Sequence, residues 1–153
     1  MAAIKVGADR IELCSSPNEG GFTPSAGLMQ AMAQTGIPCH AMIRPHAGDA
    51  NYDPHDIEIM AHDFSTAHFY NLSGVVFGIE EGSGNLDTKS VCCLMDGAKG
   101  LNTTLQRLVD KIPNRLRAID QAIEFGFNRI STSASTLDAD TGATELAKMV
   151  RHT

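Results

Sequence analysis

Short runs rich in β-branched residues alternate with amphipathic segments along the whole chain. This alternation is typical of βα units that build a parallel sheet. The pattern predicts five strands, with the sequences DRIELC, IPCHAMIR, GVVFGIE, LNTTLQRLV and NRISTS. Each run is followed by a segment with helical periodicity, and no linker or low-complexity stretch separates the units. The sequence therefore predicts five βα units in one domain that covers residues 1–153.

Capping residues mark where the predicted helices begin and end. Thr23 is predicted to cap the first helix, with Pro24 at the first helical position and Gly36 just past its end. Asp53 and Pro54 repeat the same pair of start signals for the second helix. These signals support the helical interpretation of the segments between the strands.

Alternate residues within the predicted strands are charged, polar or sulfur-containing, whereas their neighbours are apolar. In the first strand Arg10, Glu12 and Cys14 alternate with Ile11 and Leu13. Three other strands carry similar rows: His40, Met42 and Arg44; Asn102, Thr104 and Gln106; and Arg129, Ser131 and Ser133. Strands covered by helices on both faces are apolar throughout, whereas a barrel lets one face line a shared lumen. The pattern therefore favours an α/β fold of the TIM-like (β/α) barrel type over an open sheet.

The carboxyl ends of the strands are the expected place for a binding site, because (β/α) barrels carry theirs there. These ends hold Glu12, Cys14, Arg44, Gln106, Arg107 and Ser133. Two interpretations of Glu12 and Arg44 stay open. The two residues either form a buried salt bridge that fills a barrel layer, or they face a ligand.

Composition narrows the classes of partner. The chain has 18 acidic and 12 basic residues and a net charge of −6, which disfavours binding to a nucleic-acid backbone. No apolar run approaches the roughly 20 residues that span a bilayer. The four cysteines lack the spacing of a zinc site, and the pattern is too regular for a disulfide scaffold. We therefore expect a reduced, cytoplasmic protein that binds neither nucleic acid nor membrane, with Cys39 in its core.

Five stretches that span nearly the whole chain carry a family resemblance. GADRIELCSS, EGGFTPS, MIRPHAGDANYD, GVVFGI and the segment from NTTLQRLVD through FGFNRISTS resemble the CutC family, which is named for copper homeostasis. The resemblance implies a TIM-barrel-like fold, a cytosolic location and a role in copper handling. Two departures stand out: Asp49 follows His-Ala-Gly instead of Arg-Gly-Gly, and Gln106-Arg107 replaces a His-Arg pair. An amide does not titrate and is a poor ligand for a soft metal, so the second departure weakens an enzymatic interpretation.

The resemblance also implies an incomplete barrel. The chain corresponds to strands two to six of an eight-stranded barrel, so it looks like a truncated member of the family. Residues 2–8 then match the tail of a helix whose strand lies upstream. An unclosed barrel leaves strand edges at DRIELC and NRISTS unpaired, and such edges invite pairing with another chain. We therefore expect a homo-oligomer.

Three functions stay open. The first is copper binding at Cys14 and Met42, because Cu(I) prefers thiolate and thioether ligands; the alternative for Cys14 is a small buried hydrophobe. The second is a small-molecule enzyme for an anionic substrate, with Glu12 as acid or base and Arg44 and Arg107 as positive groups. The third is a non-functional truncated fragment. The predicted ligand-binding residues are Glu12, Arg44, Asp49, Gln106, Arg107 and Ser133.

Overall fold

The computed structural model describes residues 5–82, 84–135 and 138–153. Parallel strands form one sheet in chain order: β1 (Ile11–Leu13), β2 (Cys39–Met42), β3 (Gly74–Phe77), β4 (Asn102–Leu105) and β5 (Arg129–Ile130). The helices are α1 (Ala26–Ala33), α2 (Pro54–Phe69), α3 (Thr88–Gly97), α4 (Arg115–Phe125) and α5 (Ala143–His152). Short 3₁₀ helices at Pro17–Glu19 and Arg107–Asp110 follow β1 and β4. The predicted series of five βα units is confirmed.

The outward face of the sheet packs against the helices and forms the core. Ala41, Val75 and Leu105 are fully buried in this core. Met42 and Val76 are also buried, yet they do not belong to the same cluster. Because successive strand residues point to opposite faces, both lie on the inward face, where the alternation predicted Met42.

Sulfur-containing residues fill much of this core. Met29, Met60 and Met149 are buried within helices. Cys39 is buried as predicted, and its burial raises the pKa of the thiol to about 11. A thiol that stays protonated and enclosed at neutral pH acts as a small apolar side chain.

The start of α1 differs from the sequence prediction. The helix begins at Ala26, and its cap is Ser25, whose side chain accepts a hydrogen bond from Leu28 N at 3.3 Å. The prediction of Thr23 as the cap was wrong, because the Thr23 hydroxyl accepts from Arg44 N at 3.0 Å. Thr23 therefore ties the β1–α1 loop to the end of β2, which is a tertiary contact that local sequence does not specify. The predicted start of α2 at Asp53 and Pro54 is confirmed.

The predicted strands are longer than the observed ones. In LNTTLQRLV only residues 102–105 pair as a strand, and the chain then turns into the 3₁₀ helix Arg107–Asp110. Leu108 and Val109 lie in this turn, and their side chains are buried in the core. Their apolar character therefore reflects core packing and not strand pairing. In NRISTS only Arg129 and Ile130 lie in β5.

The sheet ends at β1 and β5. Among the described residues each of these strands pairs with one neighbour, β2 or β4. Residues 1–4, part of the predicted N-terminal helix tail, lie outside the described residues, and Lys5 has helical geometry. No helix within the described ranges has both the length and the apolar character needed to cross a membrane.

Candidate functional site

A cavity of about 320 Å³ lies at the carboxyl ends of the strands. It lies on the inward side of the sheet and is bounded by the loops after β1, β2 and β4. Five of the residues predicted for a site line it: Glu12, Met42, Arg44, Gln106 and Arg107. The sequence prediction that these side chains share one space is thus matched by their positions.

Arg44 is held by backbone carbonyls. Its Nη1 donates to the carbonyl oxygens of Glu19 at 3.0 Å and Gly21 at 3.3 Å, and its Nη2 donates to that of Gly48 at 3.2 Å. The guanidinium carbon lies 5.1 Å from the centre of the Phe22 ring, which adds a cation–π contact. No carboxylate of the described residues forms an ion pair with Arg44. The cavity therefore contains a fixed positive charge that is not neutralised.

Glu12 enters the cavity from β1 without a polar partner. The salt bridge with Arg44 that was one interpretation of the sequence does not form, and Glu12 makes no hydrogen bond or ion pair with any described residue. Partial burial raises the pKa of Glu12, while the positive charge of Arg10 acts in the opposite direction. A carboxyl group with a raised pKa gains a proton more readily, which suits an acid or a base.

Arg107 is oriented by a network around Asp110. Arg107 Nε donates to Asp110 Oδ2 at 3.1 Å, and Arg107 Nη2 donates to Ser133 Oγ at 2.7 Å. The same Oδ2 accepts from Ser133 N at 3.1 Å, and the Ser133 hydroxyl oxygen lies 2.9 Å from it. Asp110 Oδ1 accepts from Ala134 N at 3.0 Å and from the hydroxyl of Thr132. One carboxylate therefore joins the turn after β4 to the loop after β5.

Asp110 was missed in the sequence analysis. Its side chain is 4% exposed. Burial alone would raise the pKa of Asp110, but hydrogen bonds from Thr132, Ser133 and Arg107 outweigh burial and lower it. The available signal was the spacing of Arg107 and Asp110, one 3₁₀ turn apart, together with a lone acid in the apolar stretch LVDKI.

Gln106 and Ser131 complete this side of the cavity. Gln106 is buried, and its Nε2 donates to Gly78 O at 3.3 Å, so its side-chain oxygen is the group left to accept from a ligand. Ser131 lines the cavity. Ser133, predicted as a ligand-binding residue, is placed behind Arg107 and does not line the cavity.

The side chains of Cys14 and Met42 both lie beside Gly21. A Cβ at Gly21 would lie 3.2 Å from Cys14 Sγ and 3.7 Å from Met42 Cε, so both side chains contact this glycine. Burial raises the pKa of the Cys14 thiol, and the charge of Glu12 raises it further. The two side chains predicted as copper ligands therefore lie beside the same glycine. Within the described residues, no group of three His, Cys, Asp or Glu side chains is arranged to hold a metal ion.

The loop after β2 carries Asp49 and His46. Asp49 forms no hydrogen bond or ion pair with a described residue and does not line the cavity, although Gly48 on one side of it does. His46 lies 2.8 Å (Nδ1) from Ala47 O and 3.1 Å (Nε2) from Asp56 Oδ2. Both partners are acceptors, so the contacts favour the protonated imidazole, and they raise the pKa of His46. This loop supplies the Gly48 carbonyl to Arg44, so the pairing of His46 supports the Arg44 position.

Comparison with known proteins assigns a family to this arrangement. The model of the CutC family matches residues 1–153. The chain belongs to the CutC family. Relatives from Sinorhizobium medicae and Vibrio cholerae, both named family protein CutC, are 42% and 43% identical over 149 and 152 residues. The alignments cover 97% of this chain and 61% and 60% of the relatives, so the chain spans about three-fifths of the length of these CutC proteins.

Solved structures share the fold of this CutC-family chain. A protein from Streptococcus agalactiae, described as a candidate copper homeostasis protein CutC, matches with a TM-score of 0.92 and 28% identity over 97% of this chain and 74% of that one. A protein from Burkholderia cenocepacia described as a candidate phosphonomutase matches with a TM-score of 0.61 and 17% identity over 99% of this chain and 60% of that one, which shows the fold alone. The predicted incomplete TIM-barrel-like fold is confirmed.

Proposed function

We propose that this chain binds a small anionic molecule in the cavity at the carboxyl ends of its strands. The observation that carries the proposal is Arg44, a fixed guanidinium that faces the cavity and has no carboxylate partner. Three of its five N–H groups are used by backbone carbonyls, which leaves Nε–H and one Nη2–H to be shared between the nearby Tyr52 hydroxyl and a ligand. Guanidinium groups match carboxylate and phosphate oxygens in geometry and charge.

Arg107 and Glu12 define the rest of this proposed site. Arg107 is oriented by Asp110 and Ser133, and its remaining N–H groups are available to a second ligand oxygen. Glu12 supplies a carboxyl group with a raised pKa, which is suited to exchange a proton with a bound ligand. These roles support a small-molecule enzyme for an anionic substrate, and Asp49 and Ser133 stay predicted ligand-binding residues.

Titration with inorganic phosphate and with malonate tests the anion site. We expect saturable changes in the NMR resonances of the Gly20 and Gly48 amides, because both residues line the cavity beside Arg44. Arg44→Gln should weaken the affinity about tenfold or more, since a hydrogen bond to a charged group contributes roughly 1.5–3 kcal/mol.

Arg117→Gln is the matched control, because Arg117 is exposed on α4 and lines no cavity. Arg117→Gln should leave the affinity unchanged. Equal Kd values for Arg44→Gln and the wild type, or no saturable change with either anion, would contradict the proposal.

Copper binding is the second candidate function, favoured by the contact of Cys14 and Met42 with Gly21. The relative from Streptococcus agalactiae is described in terms of copper homeostasis, and thiolate with thioether is a ligand pair that Cu(I) accepts. The raised pKa of Cys14 means that Cu(I) has to displace a proton from the thiol. Copper affinity in this candidate therefore increases with pH.

Competition against a chromophoric chelator under reducing conditions tests the copper site. The wild type should bind one Cu(I), and Cys14→Ser should lose this binding because a hydroxyl is a poor ligand for a soft ion. Cys93→Ser is the control, since Cys93 is an exposed cysteine on α3. The candidate is rejected if wild type and Cys14→Ser bind Cu(I) with the same weak affinity.

The proposal includes a cytosolic location and a homo-oligomeric assembly, each supported by one further feature. All four cysteines are free, which supports a reducing, cytosolic compartment. The edges of β1 and β5 support a homo-oligomer, because an unpaired parallel edge exposes backbone hydrogen-bonding groups. Both statements are part of the proposal.

A further inference from the structure

A second cavity, of about 270 Å³, lies on the inward side of the sheet near the amino ends of β2 and β5. It is lined by Arg10, Glu12, His40, Thr104 and Arg129, among others. Except for Glu12, none of these side chains was assigned to the site at the carboxyl ends. Polar side chains from β1, β2, β4 and β5 thus converge on one space.

Two of these polar side chains are largely buried, and their polar atoms remain accessible instead of being fully enclosed. His40 is 3% exposed and Thr104 is 6% exposed, and neither side chain makes a hydrogen bond with a described residue. Among the described residues the fully enclosed polar atoms without a partner are Tyr52 Oη and Arg115 Nε, so the free polar atoms of His40 and Thr104 are open to a ligand. Both side chains line the cavity. A polar occupant of the cavity would supply the missing partners.

The position of His40 is enforced by the neighbouring strand. Gly74 on β3 is paired with His40 in the sheet, and a Cβ at Gly74 would lie 2.8 Å from His40 Nε2. The imidazole thus occupies the space that a side chain at position 74 would take. His40 is therefore held in place by packing, and its ring remains beside the cavity.

Two guanidinium groups flank His40 from the edge strands. Arg10 forms no hydrogen bond or ion pair with a described residue, and Arg129 has one long contact, from Nη1 to Asn102 Oδ1 at 3.5 Å. Burial lowers the pKa of His40 to about 4, and the charges of Arg10 and Arg129 contribute to this shift. Both arginines are therefore close enough to act on the imidazole, although they come from opposite edges of the sheet.

The balance of charge in this cavity favours an anion. Arg10 and Arg129 provide two positive charges, and Glu12 is the one acid in the lining. A neutral imidazole and a hydroxyl can each donate one hydrogen bond. Two guanidinium groups with two neutral donors are a suitable set for the oxygens of a phosphate or carboxylate group.

We infer that this cavity is a second binding site, in which Arg10, Arg129, His40 and Thr104 hold the phosphate or carboxylate group of a small molecule. The site goes beyond the function proposed above, which rests on Arg44 and Arg107. The two cavities share Glu12 and Ser131 in their linings. A ligand in one cavity therefore lies next to a ligand in the other, and Glu12 stands between them.

Inorganic phosphate is the probe for this site, and the NMR resonance of the His40 ring is the readout. At neutral pH, added phosphate should shift this resonance in a saturable way, because the bound anion contacts a neutral imidazole.

Variants of single arginines separate the two sites. Arg129→Gln should weaken the phosphate-dependent shift of His40 about tenfold or more. Arg129 is an exposed residue on an edge strand, so this variant is expected to fold. Arg44→Gln and the surface control Arg117→Gln should leave the shift unchanged. Since Arg129→Gln by itself changes the surroundings of the His40 ring, the quantity compared is the additional shift that phosphate causes.

Three results would overturn the inference. The first is the absence of a saturable His40 shift in the wild type. The second is a shift that Arg129→Gln leaves intact, which would indicate an adventitious ion only. The third is loss of the shift in Arg44→Gln, which would show that the two cavities form one site. A His40 response with no response at Gly20 and Gly48 would support this site and contradict the function proposed for the other cavity.

Discussion

Asp110→Asn should lower the free energy of unfolding by about 2–4 kcal/mol, because buried donors that lose their acceptor cost roughly 1–3 kcal/mol each. Asp110 is 4% exposed, and its carboxylate accepts from Arg107 Nε and from the backbone N–H groups of Ser133 and Ala134. Folded proteins are stable by only about 5–15 kcal/mol, so a loss of this size is a large part of the total.

Neither orientation of an asparagine amide at position 110 satisfies these donors. Asp110 Oδ1 accepts from Ala134 N and from Thr132, and Oδ2 accepts from Ser133 N and Arg107. An NH2 group in place of either oxygen therefore faces a backbone N–H and a side-chain donor. Each buried donor left unpaired costs roughly 1–3 kcal/mol. The loop after β5 should lose its attachment to the turn after β4.

The pH dependence of stability gives an independent readout for Asp110. Because the pKa of Asp110 is lower in the folded protein than in the unfolded chain, its contribution is fully present above the unfolded value of about 3.9. This contribution is lost as the pH falls through the folded value. The stability of Asp110→Asn should therefore decrease less than that of the wild type over this acidic range.

Urea unfolding of Asp110→Asn and of Asp96→Asn makes the comparison. Asp96 forms an exposed ion pair with Lys99 on the surface, so its loss should cost less than about 1 kcal/mol. Similar unfolding midpoints for the two variants would show that the Asp110 network contributes no more than a surface pair.

The inward row could be predicted from sequence because it depends on backbone geometry alone. Strand side chains alternate between faces, so the polar period of two in DRIELC and IPCHAMIR was enough to place Glu12 and Met42 on the inward side. The same reasoning placed Gln106 at the carboxyl end of β4. For these residues the cavity lining agrees with the prediction.

The partners of these side chains could not be predicted, because loops and turns provide them. Arg44 donates to the backbone carbonyls of Glu19, Gly21 and Gly48. Every residue has such a carbonyl, so the residue type does not indicate which of them will accept. Opposite charges on neighbouring strands suggested a salt bridge between Glu12 and Arg44. Instead, the guanidinium N–H groups of Arg44 donate to carbonyl oxygens of the loops. Sequence patterns therefore do not show whether an arginine will bind a carboxylate or the backbone carbonyls that tertiary folding brings near it.

Asp110 and Ser133 show a second limit of the sequence. The run LNTTLQRLV has the composition of a strand, but its second half forms a 3₁₀ turn. The turn places the Asp110 side chain beside the loop after β5, where it accepts a hydrogen bond from the backbone N–H of Ser133. A strand periodicity extended into this turn assigns the wrong neighbours to Leu108, Val109 and Asp110.

Gly74→Ala should also have a large effect, because two rigid neighbours occupy the space of a side chain. A Cβ at Gly74 would lie 2.4 Å from Asn102 O and 2.8 Å from His40 Nε2. The first atom belongs to the backbone of β4 and the second to a buried ring, so neither can move without disturbing the sheet. Overpacking of this kind costs about 1–3 kcal/mol. We expect a loss of stability at or above the upper end of this range.

Gly27→Ala is the matched control for Gly74→Ala. Gly27 lies in α1, and no atom lies within 4 Å of the position that its Cβ would take. Alanine is favoured over glycine within a helix by about 0.5–1 kcal/mol, so this variant should unfold at higher urea concentration than the wild type. Opposite shifts of the midpoint for one chemical change would identify steric contact at Gly74 as the cause. A stable Gly74→Ala would instead mean that the His40 ring can leave its position, and the cavity at the amino ends of the strands would then lose its fixed imidazole.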